Sequence, residues 1–270
     1  SSVIARLPVG GYHVNPPRMA PQRAFDQVGK SMPDNLEPKD ATTATRAVQA
    51  AVAASLPRDD GADFVRARRG FIATIPDAEV PGAWSQAPYA FLEGERPDTV
   101  NPSLWRQARL NAIHGLFEVT PGIYQVRGFD ISNVTFVEGK TGWLVIDPLT
   151  SAQPAAAALQ LLRQHKGDKP VIGVIYTHSH VDHYGGVLGV ASEAEIAGGL
   201  PVIAPEGFLA AAVSENVLAG NVMSRRATYM YGGLLPKGPR GHVDSGLGKA
   251  TSRGRVALVA PTQSISRTGE

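Results

Sequence analysis

The segment that most limits what this chain can fold into follows directly after an apolar run. It is Thr177-His178-Ser179-His180-Val181-Asp182-His183-Tyr184-Gly185-Gly186. Three of the chain's seven histidines and one aspartate stand within six positions of it. The run before them, residues 170–176, is nearly continuous in apolar residues, as expected of a strand that is covered on both faces. The end of a buried strand is therefore predicted to carry a dense group of side chains of the metal-ligand type.

The spacing of these polar side chains divides them into two pairs. Side chains two positions apart face the same way in an extended chain, so His178 and His180 project together and can hold one metal ion. Asp182 and His183, at the turn that follows, point in another direction and can hold a second ion. Two glycines directly after them, at positions 185 and 186, let the backbone pack closely behind such a site.

The chemistry of these two pairs favours zinc. The chain has no cysteine, so histidine and carboxylate groups must supply the ligands, which suits zinc or another divalent ion. Two such ions lower the pKa of bound water from about 15.7 towards ~7 and make a hydroxide available at neutral pH. Asp182 is the candidate catalytic residue, because it can also orient that hydroxide. A chance grouping on a surface loop is disfavoured, because protonated imidazoles repel one another.

The segments around this cluster predict an α/β fold. Four short β-branched and aromatic runs form a predicted hairpin meander at 116–119, 123–126, 134–137 and 143–146. Helices and strands then alternate, with helices at 154–166 and 206–221 and strands at 170–176, 202–204 and 256–260. Hairpins followed by alternating helices and strands imply sheets that are covered by helices.

The amino-terminal part of the chain has a different composition. Residues 1–40 are rich in proline, glycine and charge, which predicts an irregular arm. Residues 41–56 predict an alanine-rich helix capped by Asp40, and residues 101–111 predict a helix that begins at an Asn101 cap. These elements form an irregular and helical extension.

The sequence pattern changes at residue 116, and this change divides the chain into two parts. We assign residues 1–115 to an amino-terminal arm with helices that packs on the catalytic domain. Residues 116–270 are the first part of that domain, because the strand-like run near the last residues has no clear stop after it. The predicted catalytic domain is therefore a partial one.

The pattern His-x-His-x-Asp-His after an apolar strand resembles the signature of the metallo-β-lactamase fold, and this chain matches it without a departure. The resemblance implies an αββα sandwich around two metal ions. Asp147, which ends the run 143–146, is similar to an aspartate that many members carry near the metals, and a supporting role there is implied by resemblance only. A turn aspartate that ends a strand before Pro148 is an equally good interpretation.

Flanking segments narrow the resemblance to the alkyl sulfatases, which hydrolyse dodecyl sulfate and related esters. The similar segments are 122–130, 135–139, 146–151, 214–221 and 246–249. The resemblance implies two zinc ions, hydrolysis of small alkyl sulfate esters to alcohol and sulfate, detergent degradation, a homodimer in the full-length protein, and a periplasmic or secreted bacterial location. It leaves open whether carbon or sulfur is attacked.

In that family two carboxylates and a further histidine downstream complete the metal set, and this chain ends before them. The only later histidine, His242, is interpreted as an exposed loop residue and not as a ligand, because its surroundings do not resemble a strand end. The four residues of the motif then offer at most two protein ligands to each ion, where zinc normally takes three or four.

Substrate contacts are indicated only weakly. Arg225 and Arg226 can pair with a sulfate, since guanidinium groups suit oxyanions, but a solvated helix face is the favoured interpretation. Asn221, Tyr229 and Tyr231 can line a pocket, although packing is the more common use of such aromatic side chains.

Composition excludes some partners and leaves two alternative functions. The formal net charge is +2 without a clustered basic patch, so no nucleic acid is expected. No apolar run reaches 18 residues, so no stable membrane insertion is expected. The alternatives are another hydrolase of the same fold, acting on a β-lactam, a thioester or a phosphodiester, and a non-catalytic metal-binding fragment.

Overall fold

The computed structural model describes residues 38–57 and 61–268, so most of the predicted irregular arm lies outside it. The first helix, α1, spans Thr43–Ser55, close to the predicted range. Thr42 caps this helix, because its hydroxyl accepts a hydrogen bond from the amide of Thr45 at 3.1 Å. Asp40 stands two residues too early, so the predicted cap was wrong.

Proline, glycine and polar turns divide the rest of the chain into short elements. The other helices are α2 (Ala62–Arg68), α3 (Pro102–Asn111), α4 (Ala152–Lys166), α5 (Glu193–Ala197), α6 (Phe208–Val213) and α7 (Gly220–Met230). The strands are β1 (Phe71–Ala73), β2 (Glu79–Val80), β3 (Trp84–Ser85), β4 (Gly115–Thr120), β5 (Ile123–Arg127), β6 (Val134–Glu138), β7 (Trp143–Ile146), β8 (Val171–Ile175), β9 (Val202–Pro205) and β10 (Gln263–Ile265). Asn101 caps α3 as predicted.

Eight strands form one mixed sheet in the order β1-β4-β5-β6-β7-β8-β9-β10, and β2 pairs with β3. Neighbours from β1 to β7 are antiparallel, which confirms the predicted meander. From β7 to β10 they are parallel. The parallel strands β7, β8 and β9 therefore all end at the same edge of the sheet.

The core lies between this sheet and α4. Alternate side chains of β5, β6 and β7 are buried, as the period-two pattern of a half-covered strand requires. Helix α4 presents its small and branched residues to the same core, namely Ala155, Ala158, Leu159 and Leu162. Trp143, Phe136 and Val145 are fully buried there, so the strand that precedes the metal-ligand cluster is built on a firmly packed layer.

Two predictions about the later part of the chain were wrong. Residues 256–260 are not a strand: the amide of Ala257 donates to the carbonyl of Gly185 at 2.9 Å, so this run is tied to a loop and not to a sheet neighbour. The last strand is instead β10, beside β9. The predicted helix 206–221 is broken into α6, a π turn at Ser214–Leu218, and α7. An apolar run packed against the core does not by itself reveal whether it joins a ladder.

The first strand comes from outside the predicted catalytic range. β1 pairs with β4 in the large sheet, although the predicted boundary at residue 116 assigns it to the amino-terminal part. The boundary itself stays a prediction. None of the helices in residues 38–57 and 61–268 combines the length and the apolar character needed to cross a lipid bilayer.

Candidate metal centre

Three loops meet at the edge where β7 and β8 end. These are the loops after β5, β7 and β8, at residues 128–133, 147–151 and 176–186. They come together because β5 is antiparallel to β6, which is antiparallel to β7, while β7 and β8 are parallel. The last of the three loops carries the histidine motif. Tyr176 anchors its start, since its ring is buried and stacked on Phe208 with centroids 5.1 Å apart.

The four predicted ligands lie together in this loop. The imidazole centroids of His178 and His183 are 4.0 Å apart, and those of His178 and His180 are 4.7 Å apart. A 3-10 turn at residues 181–183 reverses the chain and places Asp182 Oδ2 at 3.3 Å from His183 Nε2. The backbone bends at residues 178–179, and the His178 ring lies closer to His183 than to His180, so the division into two ligand pairs stays a prediction.

Asp147 holds one end of the cluster. Its Oδ1 accepts the amide of Thr177 at 2.8 Å, and its Oδ2 lies 2.9 Å from His183 Nδ1. The turn that aims this carboxylate is unusual, because Asp147 and Leu149 have positive φ angles of 56° and 63°. Contact with His183 favours a supporting role over the strand-ending turn interpretation, and that role stays a prediction.

These contacts set the tautomers of two histidines. A carboxylate has no proton to donate, so His183 Nδ1 donates to Asp147, while its Nε2 lies 3.3 Å from a second carboxylate, Asp182 Oδ2, and would bind a metal only after losing its proton. Thr177 Oγ1 donates to the carboxylate of Asp147 at 2.7 Å and must then accept from His178 Nδ1 at 2.9 Å. The Nε2 atom of His178 therefore remains available.

The charges of the cluster are coupled. Burial alone lowers the pKa of His183, but the hydrogen bonds to Asp147 and Asp182 outweigh it and raise this pKa to about 9. Burial, together with the charges of His183 and His180, lowers the pKa of His178. Burial raises the pKa of Asp182, but the hydrogen bond and charge of His183 outweigh it and lower this pKa.

The donor set fits zinc in chemistry, because imidazole nitrogens and carboxylate oxygens are ligands that zinc takes. Asp182 Oδ2 and His183 Nε2 are hydrogen-bond partners 3.3 Å apart, so a shared ion would have to displace the proton between them. Within residues 38–57 and 61–268, no three histidine or carboxylate side chains are arranged to hold one ion together. Each ion would thus take at most two ligands from this cluster.

A third carboxylate, after Asp147 and Asp182, lies next to the remaining histidine. Glu215 Oε1 lies 3.5 Å from His180 Nε2, and its neighbour Asn216 donates to the carbonyl of Ser179 at 3.3 Å. Both belong to the π turn between α6 and α7. Sequence reasoning gave Glu215 no role, because nothing local distinguishes it from other acidic helix residues.

Comparison with known proteins identifies the family. The family described as the metallo-beta-lactamase superfamily matches residues 127–267, which includes the histidine motif and all three loops. The chain belongs to the metallo-β-lactamase superfamily. The expected fold class is thereby confirmed.

Several proteins that are named alkylsulfatases resemble the chain. A linear primary-alkylsulfatase of a Pseudomonas species is 54% identical over 240 residues, covering 86% of this chain and 36% of the relative. The alkyl/aryl-sulfatase BDS1 of Saccharomyces cerevisiae is 51% identical, with 78% and 34% covered. The solved structure of the inverting sec-alkylsulfatase Pisa1 from a Pseudomonas species has a TM-score of 0.82 at 46% identity, with 86% and 38% covered. The chain thus spans little more than a third of the length of these relatives.

The metallo-β-lactamase loops are held together by residues that sequence reasoning missed. Asp130, in the loop after β5, accepts hydrogen bonds from the backbone amides of Thr150 and Ser252, at 3.0 and 2.8 Å, and from both of their hydroxyls. Ser132, two residues on, donates to the carbonyl of Asp182. Ser252 lies far away in the chain and carries no local signal of this pairing.

The glycines behind the metallo-β-lactamase motif are packed as expected. A Cβ atom on Gly185 would collide with the carbonyl oxygen of Thr150, and one on Gly186 would collide with that of Pro148. The loops after β7 and β8 therefore touch backbone to backbone, which only glycine allows here.

The candidate substrate contacts are scattered on or near α7. Arg225, Arg226 and Asn221 are exposed there, and Tyr229 has 73% of its surface exposed. Tyr231 instead lines a cavity of about 550 Å³ beside Trp84. Contact of any of these side chains with a sulfate stays a prediction.

The interpretation of His242 as an exposed loop residue was wrong. It is 6% exposed, and its Nδ1 lies 2.9 Å from the hydroxyl of Tyr89. Burial lowers the pKa of His242, although the charge of Asp244 opposes this. The loop folds inward because Asp244 pairs with the buried Lys249 at 2.9 Å, a contact that the local sequence does not reveal.

Proposed function

We propose that this chain is the metal-binding part of a zinc-dependent enzyme that hydrolyses alkyl sulfate esters. One observation carries the proposal: the rings of His183 and His180 lie 4.0 and 4.7 Å from that of His178, with Asp182 beside His183, at the end of a central parallel strand. Relatives that are named alkylsulfatases support the substrate class. Two zinc ions per chain fit two ligand pairs.

Each residue has a distinct task in this proposal. Zinc, when bound, lowers the pKa of water and so supplies a nucleophile at neutral pH. His178, His180 and His183 hold the metal set, and Asp182 both binds and orients the nucleophile as the catalytic residue. Asp147 keeps His183 in the tautomer whose Nε2 faces Asp182. The remaining ligands would come from residues beyond those described.

The reaction adds water across the ester. The oxygen of water bonds either to carbon or to sulfur, the C–O or S–O bond of the ester breaks, and alcohol and hydrogensulfate leave. Hydrolysis in oxygen-18 water separates the two routes: label in the alcohol indicates attack at carbon, and label in sulfate indicates attack at sulfur. Export from a bacterial cell and dimerisation stay predictions from the resemblance.

The deciding experiment compares substrates and metal content in the longest natural form of the protein. We expect two zinc ions per chain by elemental analysis, turnover of dodecyl sulfate, and none of a cephalosporin. Turnover of the cephalosporin alone would instead favour another hydrolase of the superfamily. Bound zinc without turnover of any sulfate, thioester or phosphodiester would favour a non-catalytic metal-binding protein.

A further inference from the structure

Among residues 38–57 and 61–268, Glu215 is the side chain that lies where it can fix the orientation of His180. Its Oε1 is 3.5 Å from His180 Nε2. This is an ion-pair distance, longer than a hydrogen bond, and an ionised carboxylate next to Nε2 favours the tautomer that carries its proton there. That tautomer leaves Nδ1 unprotonated and able to bind a cation. We propose that Glu215 is a positioning residue that holds His180 with Nδ1 towards the metal.

The same arrangement occurs at the other two histidines. His183 has Asp147 at its Nδ1, and His178 has the Thr177 hydroxyl at its Nδ1. Each imidazole of the motif therefore has an oxygen near one nitrogen, and His183 also has Asp182 Oδ2 at 3.3 Å from its Nε2. In metal centres such an acceptor fixes the tautomer and the ring orientation of a ligating histidine. Glu215 completes the set for His180.

The π turn explains why Glu215 reaches the loop. The amide of Ala219 donates to the carbonyl of Ser214 at 3.0 Å, which widens the helix by one residue between α6 and α7. Next to Glu215, the Asn216 side chain bridges the carbonyls of Ser179 and Ala212, at 3.3 and 3.1 Å. The turn is thus tied to the residue directly before His180. A π turn inside a helix is frequent at functional sites.

The exposure of the pair shows why this support matters. The His180 side chain is 60% exposed, whereas that of Glu215 is 26% exposed. An exposed imidazole without a partner changes rotamer and tautomer freely, and ordering it on the metal costs free energy. A half-buried carboxylate that is already in place reduces that cost. The inference rests on the proposed zinc site, since it concerns how that site is ordered.

The test measures zinc affinity in the longest natural form of the protein by competition with a chromophoric chelator. We expect Glu215→Ala to weaken the binding of one of the two zinc ions by about 10–100-fold. Glu215→Gln keeps an oxygen at the same reach and should recover most of that affinity. Glu206→Ala, an exposed glutamate just before α6, is the matched control and should leave zinc affinity unchanged. The melting temperature of the metal-free protein should stay the same in all variants.

Cobalt replaces zinc for a second readout that does not depend on turnover. A positioning residue leaves the number of ligands unchanged, so the visible bands of the cobalt form of Glu215→Gln should match those of the wild type. Equal loss of affinity in Glu215→Ala and Glu215→Gln, with altered cobalt bands, would make Glu215 a direct ligand and overturn the inference. Wild-type affinity in Glu215→Ala would overturn it as well. Absence of zinc binding in the wild type would overturn the proposed function together with it.

Discussion

Two polar clusters lie at the same edge of the sheet and are built in opposite ways. Asp130 is 5% exposed, and its oxygens accept hydrogen bonds from Ile131, Thr150 and Ser252. In the histidine cluster, by contrast, His178 and His180 are exposed, and each of these two imidazoles has a protein partner at only one nitrogen within residues 38–57 and 61–268.

The contrast distinguishes a cluster that stabilises the fold from a cluster that can bind a cation. A buried carboxylate surrounded by donors satisfies itself and holds loops together. Imidazoles that face one another at 4.0 and 4.7 Å repel when protonated and gain from a bound cation. His242 is buried like Asp130, but only its Nδ1 has a hydrogen-bond partner among the described residues, the Tyr89 hydroxyl. Changes in the two kinds of cluster should therefore have different consequences.

The largest effect is expected on activity, from changes in the histidine cluster. Asp182→Asn should reduce sulfate ester hydrolysis by several orders of magnitude, while the melting temperature of the metal-free protein changes little. His180→Ala should lose zinc and activity together, because it removes one of two ligands from a pair. Steady-state kinetics and elemental analysis check both. Unchanged turnover in either variant would refute the metal assignment.

Changes in the cluster around Asp130 should lower the stability of the protein. Asp130→Ala leaves buried amides of Thr150 and Ser252 without their acceptor, so we expect the free energy of unfolding to fall by about 3 kcal/mol or more. Asp130→Asn keeps one acceptor oxygen and should lose less. Urea denaturation of the metal-free protein measures both variants. A loss below about 1 kcal/mol in Asp130→Ala would contradict a structural role.

The buried histidine should make stability depend on pH. Burial depresses the pKa of His242, so the folded state holds it neutral while the unfolded chain protonates near pH 6.5. Its contribution is then complete above about pH 6.5 and declines as pH falls through that range, by at most about 1.4 kcal/mol per pH unit. Chemical denaturation at several pH values should show a flatter profile in His242→Gln. An identical profile in both proteins would exclude this histidine as a source of the dependence.

The smallest effect is expected at the link between the clusters. Ser132 follows Asp130 in the chain and donates to the main-chain carbonyl of Asp182, so Ser132→Ala removes one hydrogen bond from the turn that carries a ligand. We expect a loss of about 1 kcal/mol in stability and only a small drop in zinc affinity. Denaturation and chelator competition test this together. A loss of zinc as large as that in His180→Ala would show that the two clusters are not independent.

Local patterns predicted several elements and the grouping of the histidines. Short β-branched and aromatic runs predicted the strands from β4 to β7, and three histidines and an aspartate within six positions predicted the cluster at the end of β8, whose role as metal ligands stays a prediction. Each of these signals is contained within a few neighbouring residues of the chain. They depend on the geometry of a strand and a turn, which the sequence determines locally.

What could not be predicted depends on distant partners. Asp130 and Ser252 are 122 residues apart, and Tyr89 and His242 are 153 apart, so no window along the chain shows either contact. The same holds for residues 256–260, whose apolar pattern fits a strand although Gly185, in a loop, takes the amide of Ala257. Burial and hydrogen bonding across such distances are decided by the folded topology.

The left-handed backbone at Leu149 couples the core to the metal loop. Its φ of 63° costs about 1–3 kcal/mol in a non-glycine residue, and its fully buried side chain contributes about 1.5–3 kcal/mol. The apolar interior thus pins a main chain that would otherwise relax. Because the carbonyl of Leu149 accepts the amide of Gly186 at 2.8 Å, three residues after His183, a change of side-chain volume at this position would shift the ligands through the backbone alone.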